Sequence, residues 1–183
     1  MKPTTSETRR VFIGLGSNIG SRAETIGRAL QMLAEEAGPI VRCSDLIATR
    51  PEGFRSSHPF LNGVCLLTTT LEPTSLLRVT QDIERRLGRR RKSRNGQHFD
   101  RPIDIDLLWM EGVRIDTPEL SIPHKHIAER RFVLEPWSQI APDHRLTSDG
   151  PTIAEMLQQL MAQTPTNDPS DKRIMQKNLV DID

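Results

Sequence analysis

Residues 103 to 110, IDIDLLWM, constrain this chain more than any other stretch. Ile103, Ile105 and Leu107 alternate with Asp104 and Asp106, and a period of two belongs to a strand rather than a helix. One face of that strand is apolar and seeks a core, while the other carries two carboxylates about 6.6 Å apart at Cα. Like charges so placed repel and raise each other's pKa unless a cation sits between them. Magnesium, a hard ion that takes oxygen ligands and completes its shell with water or phosphate oxygens, meets that need. The plainer alternative is a solvated strand edge, which for a bare D-x-D pattern is the commoner meaning.

The flanking segments give that strand its partners. RVFIGLG (10–16) is a short apolar strand closed by SNIG. Ser21 and Glu24 form a capping-box pattern, and Ile26, Ala29, Leu30, Leu33 and Ala37 follow at helical spacing until Gly38-Pro39 stops them. IVRCSDLIATRP (40–51) reads as a second strand and FLNGVCLLTTTL (60–71) as a third. Glu72-Pro73 opens a second helix with Leu76, Thr80, Ile83 and Leu87 inside and Gly88 at its end. After IDIDLLWM come a short strand at 113–116, a Pro-rich loop at 117–123, and helices expected near 126–139 and 152–162. The order β-α-β-β-α-β predicts an α+β, ferredoxin-like fold, an antiparallel sheet with two helices on one face, extended by a short strand and C-terminal helices. At 183 residues the chain suits one domain. Residues 1–9 read as a flexible lead, 10–163 as the domain, and 164–183, with its TPTNDPSDKR composition, as a flexible tail.

A net charge of +1 argues against a polyanion binder by bulk charge. The distribution is uneven, however: seven of the ten residues from Arg85 to Arg94 are basic. Such a run is ordinarily a solvated face or a nucleic-acid patch, but aromatic residues at 4% leave little to stack on bases. Here the run leads into the aspartate strand, with Arg101 three residues before Asp104. Arginine forks clamp phosphate oxygens and magnesium neutralises the rest, which is equipment for a polyphosphate. The 89–101 loop is expected to be mobile and to close over such substrates. GLGSNIG spaces its glycines as G-x-G-x-x-x-G (Gly14, Gly16, Gly20), one residue longer than a dinucleotide fingerprint, so they read as a tight exit from the first strand. His124 and His126 lack a nearby third soft ligand for zinc; His124 and Arg130 fit better as donors to phosphate. Phe60 and Phe132 are residues of a type that usually fills cores, yet with Asn62 they would suit a flat heterocycle with donor and acceptor edges. Cys43 and Cys65, in apolar strand-like segments, read as reduced core residues of a cytoplasmic protein. No signal region or membrane-length apolar run is visible.

Taken in order, GLGSNIG, T-R-P-E-G, P-F-L-N, G-R-x-R-K, R-P-I-D-I-D-L-L and I-P-H followed by R-R-F resemble the 6-hydroxymethyl-7,8-dihydropterin pyrophosphokinase family across roughly residues 11 to 160. The resemblance implies transfer of pyrophosphate from ATP to the hydroxymethyl of a dihydropterin in folate biosynthesis, with release of AMP. It implies two magnesium ions, ATP as co-substrate, and the ferredoxin-like fold already reached. Carried over, Asp104 and Asp106 hold the metal and, with Arg89 and Arg101, form the catalytic set. Gln81, Glu84, Arg91, Ser121, His124, Lys125 and Arg130 fall on the ATP side. Thr49, Pro51, Phe60, Asn62 and Phe132 fall on the pterin pocket, with the ring stacked between the two phenylalanines. Where the family often has R-W-G-P-R, this chain has the longer NGQHFDR, so His98 or Phe99 takes the tryptophan's place. Lys125 stands where a tyrosine is frequent and Ile47 where an aromatic is. The expected partners are small molecules, with no nucleic acid and no membrane, and the expected state is a monomer. An RNA-binding module and a magnesium-dependent nucleotidyl enzyme or nuclease stay open as rival classes.

Overall fold

Both faces of the first strand carry apolar residues because both are covered. β1 (Arg9–Ser17) lies inside an antiparallel sheet ordered β2 (Ile40–Cys43), β4 (Phe60–Thr69), β1, β5 (Asp104–Met110), with β3 (Ile47–Thr49) also paired to β4. The computed structural model describes residues 7–51, 56–90 and 99–163. α1 (Arg22–Glu36) follows β1, and α2 (Pro73–Arg86) joins β4 to β5, so the β-α-β-β-α-β order is that of the ferredoxin-like fold.

Val11, Ile13 and Leu15 of β1, with Ile105 and Leu107 of β5, meet Ile26, Ala29 and Leu33 of α1 and Leu76 and Ile83 of α2. Burying each such Ile or Leu is worth about 1.5–3 kcal/mol. On the opposite face Phe12, Val64 and Leu108 meet Val133, Leu134 and Trp137 of α3 (Arg131–Ile140), together with Ile153 and Met156 of α4 (Ile153–Gln163). The two helices expected on one face are there, and the C-terminal pair makes a second layer on the other. That second cover is partial. Over Gly14 and Gly16 the sheet is open as the floor of a cleft.

Several local expectations change. The segment 40–51 is two strands, because the chain takes four steps from Cys43 to Ile47 while β4 takes three from Cys65 to Asn62. Ser44 bridges the break, donating its N–H to the Val64 carbonyl and accepting the Val64 N–H on its hydroxyl, each at 2.9 Å. Ser21 does precede α1, but its side chain makes no cap; its carbonyl accepts the Thr25 N–H and hydroxyl instead. The helix expected over 126–139 is present as α3 but starts only at Arg131; its first turn is instead a 3-10 turn (Ile127–Glu129), separated from α3 by extended backbone at Arg130. Within the Pro-rich loop, β7 (Ser121–Ile122) pairs with β6 (Ile115–Asp116). A register shift in the β1–β5 ladder sets Phe12 opposite Trp109 but Ile13 opposite Leu107, so Leu108 and Trp109 both join the second core.

Arg9, expected in the lead, belongs to β1, and residues 1–6 and 164–183 lie outside the described residues. Cys43 and Cys65 are free thiols paired across β2 and β4, and burial pushes both thiols' pKa up. Among the described residues no helix is long and apolar enough to cross a membrane.

Candidate active site

The period of two in β5 does what its pattern requires: Ile105 and Leu107 enter the core, and Asp104 and Asp106 face the cleft. Across the ladder Asp104 pairs with Gly16 and Asp106 with Gly14, so the neighbouring strand offers no side chain there. A Cβ at Gly16 would lie 2.8 Å from Asn62 Oδ1. The glycines inside β1 therefore clear a floor, and only Gly20, at φ +70°, acts as the turn glycine expected of all three. The cleft has a volume of about 520 Å³.

Three arginines stand around the aspartates. Arg89 Nη1 bonds Asp104 Oδ1 and also Glu84 Oε1 at 2.5 Å. Arg101 Nη2 reaches Asp104 Oδ2 at 2.8 Å, and Arg130 Nη1 stands 3.5 Å from Asp106 Oδ2. Glu84, inside α2, accepts the Ile105 N–H at 2.8 Å and so ties helix to strand under the site. Burial opposes ionisation of Asp104, yet Arg101 and Arg89 hold its carboxyl below the usual range. Burial and then Asp104 itself push Asp106 up to about 6, with Arg130 opposing them. Burial raises Glu84 to about 7 against the pull of Arg89.

Arg130 lies over the Phe132 ring at 5.6 Å and Arg101 over Phe60 at 5.0 Å. Asn62 donates to Thr49 Oγ1 at 2.7 Å. Burial, and behind it Arg130, lowers His124 to about 4. Its Nδ1 accepts the His126 N–H at 3.2 Å, so the neutral ring carries its proton on Nε2. Two carboxylates are hard oxygen donors suited to magnesium. Among the described residues no three His, Cys, Asp or Glu form a group that could hold a metal, so an ion on Asp104 and Asp106 would draw its other ligands from water or substrate oxygens.

A model of the 7,8-dihydro-6-hydroxymethylpterin-pyrophosphokinase family matches residues 12–142. The chain belongs to that family. It is 45% identical over 133 residues to the 2-amino-4-hydroxy-6-hydroxymethyldihydropteridine pyrophosphokinase of Porphyromonas gingivalis, covering 72% of this chain and 90% of that one. The protein of the same name from Methylorubrum extorquens is 40% identical over 153 residues, 82% of this chain and 93% of the relative. Among solved structures, the HPPK-DHPS triple mutant of Plasmodium falciparum aligns with a TM-score of 0.71 at 15% identity, over 86% of this chain. The chain spans 44% of that longer protein, and the likeness is one of fold.

Of the residues carried over from the pyrophosphokinase family, Thr49, Phe60, Asn62, Arg89, Arg101, Asp104, Asp106, His124, Arg130 and Phe132 line the cleft. Glu84 lies behind its wall, holding Arg89. Lys125 points to Asp116, with Nζ 2.6 Å from Oδ1, and Ser121 donates to the same oxygen at 3.3 Å. Gln81 and Pro51 are half-buried and outside the lining. Arg91 and His98 lie outside the described residues; Phe99 is exposed and not among the lining residues. The sequence singles out neither Arg50 nor Glu129 and marks His126 only as a poor zinc ligand, yet all three line the cleft, and it gives no sign of the buried Asn18 beside Arg101. Asn18 sits in the quoted GLGSNIG, but its signal was spent on the glycines.

Proposed function

We propose that this cleft is where the chain carries out its family's reaction, transfer of the pyrophosphoryl group of ATP to the hydroxymethyl of 6-hydroxymethyl-7,8-dihydropterin with release of AMP. One observation carries the reading: two carboxylates on a floor cleared by Gly14 and Gly16, with three arginines and two phenylalanines around them. A polyphosphate and a flat ring are the two ligand chemistries that such a wall suits.

Arg89 and Arg101, paired with Asp104 before substrate arrives, exchange that partner for phosphate oxygens and stabilise charge on the group in transit. Asp104 and Asp106 would hold two magnesium ions, which when bound supply charge neutralisation and a lowered pKa for the substrate hydroxyl. Arg130 and the Nε2–H of His124 donate to the polyphosphate. Phe60 and Phe132 flank the pterin, and the Asn62 amide and Thr49 read its polar edge. Gln81, Arg91, Ser121 and Lys125 belong to the ATP side and Pro51 to the pterin side. The protein works as a cytoplasmic monomer on free small molecules.

The test is product identity. Incubation with ATP, Mg²⁺ and the hydroxymethyl dihydropterin should yield AMP and pyrophosphorylated pterin in equal amounts. Pterin-independent release of phosphate or pyrophosphate would point to the nucleotidyl or nuclease class, and no AMP above background would sink the reading.

A further inference from the structure

Asn18 follows β1 and is 1% exposed, yet every polar atom of its side chain has work outside its own strand. Its Oδ1 accepts the Arg101 N–H at 2.7 Å, and its backbone N–H donates to the Arg101 carbonyl at 3.2 Å. Its Nδ2 donates to Asp100 Oδ1 at 2.6 Å and lies 3.4 Å from the His58 carbonyl. The second Asp100 oxygen stands 3.2 Å from His58 Nδ1, and Ser56 Oγ accepts the His58 N–H at 3.1 Å. Three separate stretches of chain are thus tied at one point: the exit of β1, the segment entering β4, and the segment entering β5. The orientation of the Asn18 amide is set by this pattern, since a flip would turn its NH₂ toward the Arg101 N–H and its oxygen toward a carboxylate.

The point they converge on is the backbone of Arg101. Its guanidinium reaches Asp104 on one side and covers Phe60 on the other, and among the described residues its Nε is buried with no hydrogen-bond partner. A buried charged donor left over in a cleft is costly unless a ligand takes it. Its aim rests on backbone that, between residues 99 and 103, belongs to no helix or strand.

We propose that Asp100 is a positioning residue for pyrophosphoryl transfer, acting through the Asn18 amide to hold the Arg101 backbone, with His58 as its second tether. Asp100 touches no substrate. It fixes the donor face of Asn18, and Asn18 fixes the residue that meets the phosphates. A displacement of about 1 Å in such a group is enough to cost roughly 100-fold in rate, so the effect belongs in kcat rather than in KM.

The proposal rests on the reaction assigned above, and two readouts keep the two separable. The first, independent of activity, is NMR hydrogen exchange of the Arg101 amide in the substrate-free protein. Asp100→Ala should speed it at least tenfold while amides of β1 and β4 keep their protection. Asp100→Asn, whose amide oxygen can still accept from Asn18, should return it to within threefold. The second is steady-state AMP formation: Asp100→Ala should lower kcat by about 10- to 100-fold with KM for ATP and pterin within threefold, and Asp100→Asn should recover most of it. Unchanged Arg101 exchange in Asp100→Ala overturns the proposal whatever the activity does. So does a rise in KM alone, an equal defect in Asp100→Asn, or a general loss of protection across the sheet. Absence of AMP with the unaltered protein removes the assigned reaction instead, and leaves the exchange result to judge the tether.

Discussion

Asp106, like Glu84, carries a charge that the substrate-free fold tolerates poorly. Its carboxyl is raised to about 6 by burial and by Asp104. The folded state therefore binds that proton more tightly than the unfolded chain does. The contribution to stability is full below about pH 4, the ordinary aspartate range, and is lost as pH rises through about 6. Asp106→Asn should remove that loss, so its urea midpoint should fall less than the parent's between pH 4 and 7. The same variant should lose at least about 100-fold in AMP formation, and a variant that gains stability but keeps its rate would contradict the assigned role. At Gly16 the sign is reversed. Gly16→Ala sets a methyl 2.8 Å from Asn62 Oδ1 and must displace the amide from Thr49. We expect KM for the pterin to rise, with a thermal-denaturation loss of about 1–3 kcal/mol for the overpacked contact.

At the scale of elements, Glu84 joins α2 to β5 and to Arg89 through one oxygen. Glu84→Ala leaves the buried Ile105 N–H without its acceptor while Arg89 keeps Asp104, so a loss of about 1–3 kcal/mol in urea unfolding is expected. Glu84→Gln keeps the acceptor for Ile105 and should cost less. The elements themselves were largely legible, since α1, α2, β4 and β5 follow from apolar spacing and from Gly and Pro stops. What stayed hidden depends on pairing rather than on pattern. The extra residue near Ser44 is visible only against β4, and the doubling of Leu108 and Trp109 only against β1. The capping box failed because Ser21 offered the right side chain while its backbone carbonyl took the bonds. In the site, charged and aromatic residues announced themselves by type. Asn18 and Asp100 did not, because their value lies in a contact 82 residues apart in the chain.

On the scale of the whole molecule, the two cores close without the cleft. These apolar clusters hold the sheet and its helices together, so we expect the fold to form without a metal. Chelating Mg²⁺ should abolish AMP formation and leave the melting temperature of the nucleotide-free protein within about 2 °C, since only a bound ligand shifts it by mass action. A large drop on chelation would mean that the ion holds the layers together. With Mg²⁺ and ATP at 100 times the Kd, stability should instead rise by about 2.7 kcal/mol.

The alternation in β5 also bears on how this protein can fail. A slip of one residue against β1 would drive two carboxylates among the aliphatics of α1 and α2 and leave Ile105 in the cleft. A form slipped by one residue cannot keep its core while losing its chemistry. A preparation of this protein should therefore hold few molecules that are compact yet inert, and specific activity after refolding can serve directly as a count of correctly threaded chains.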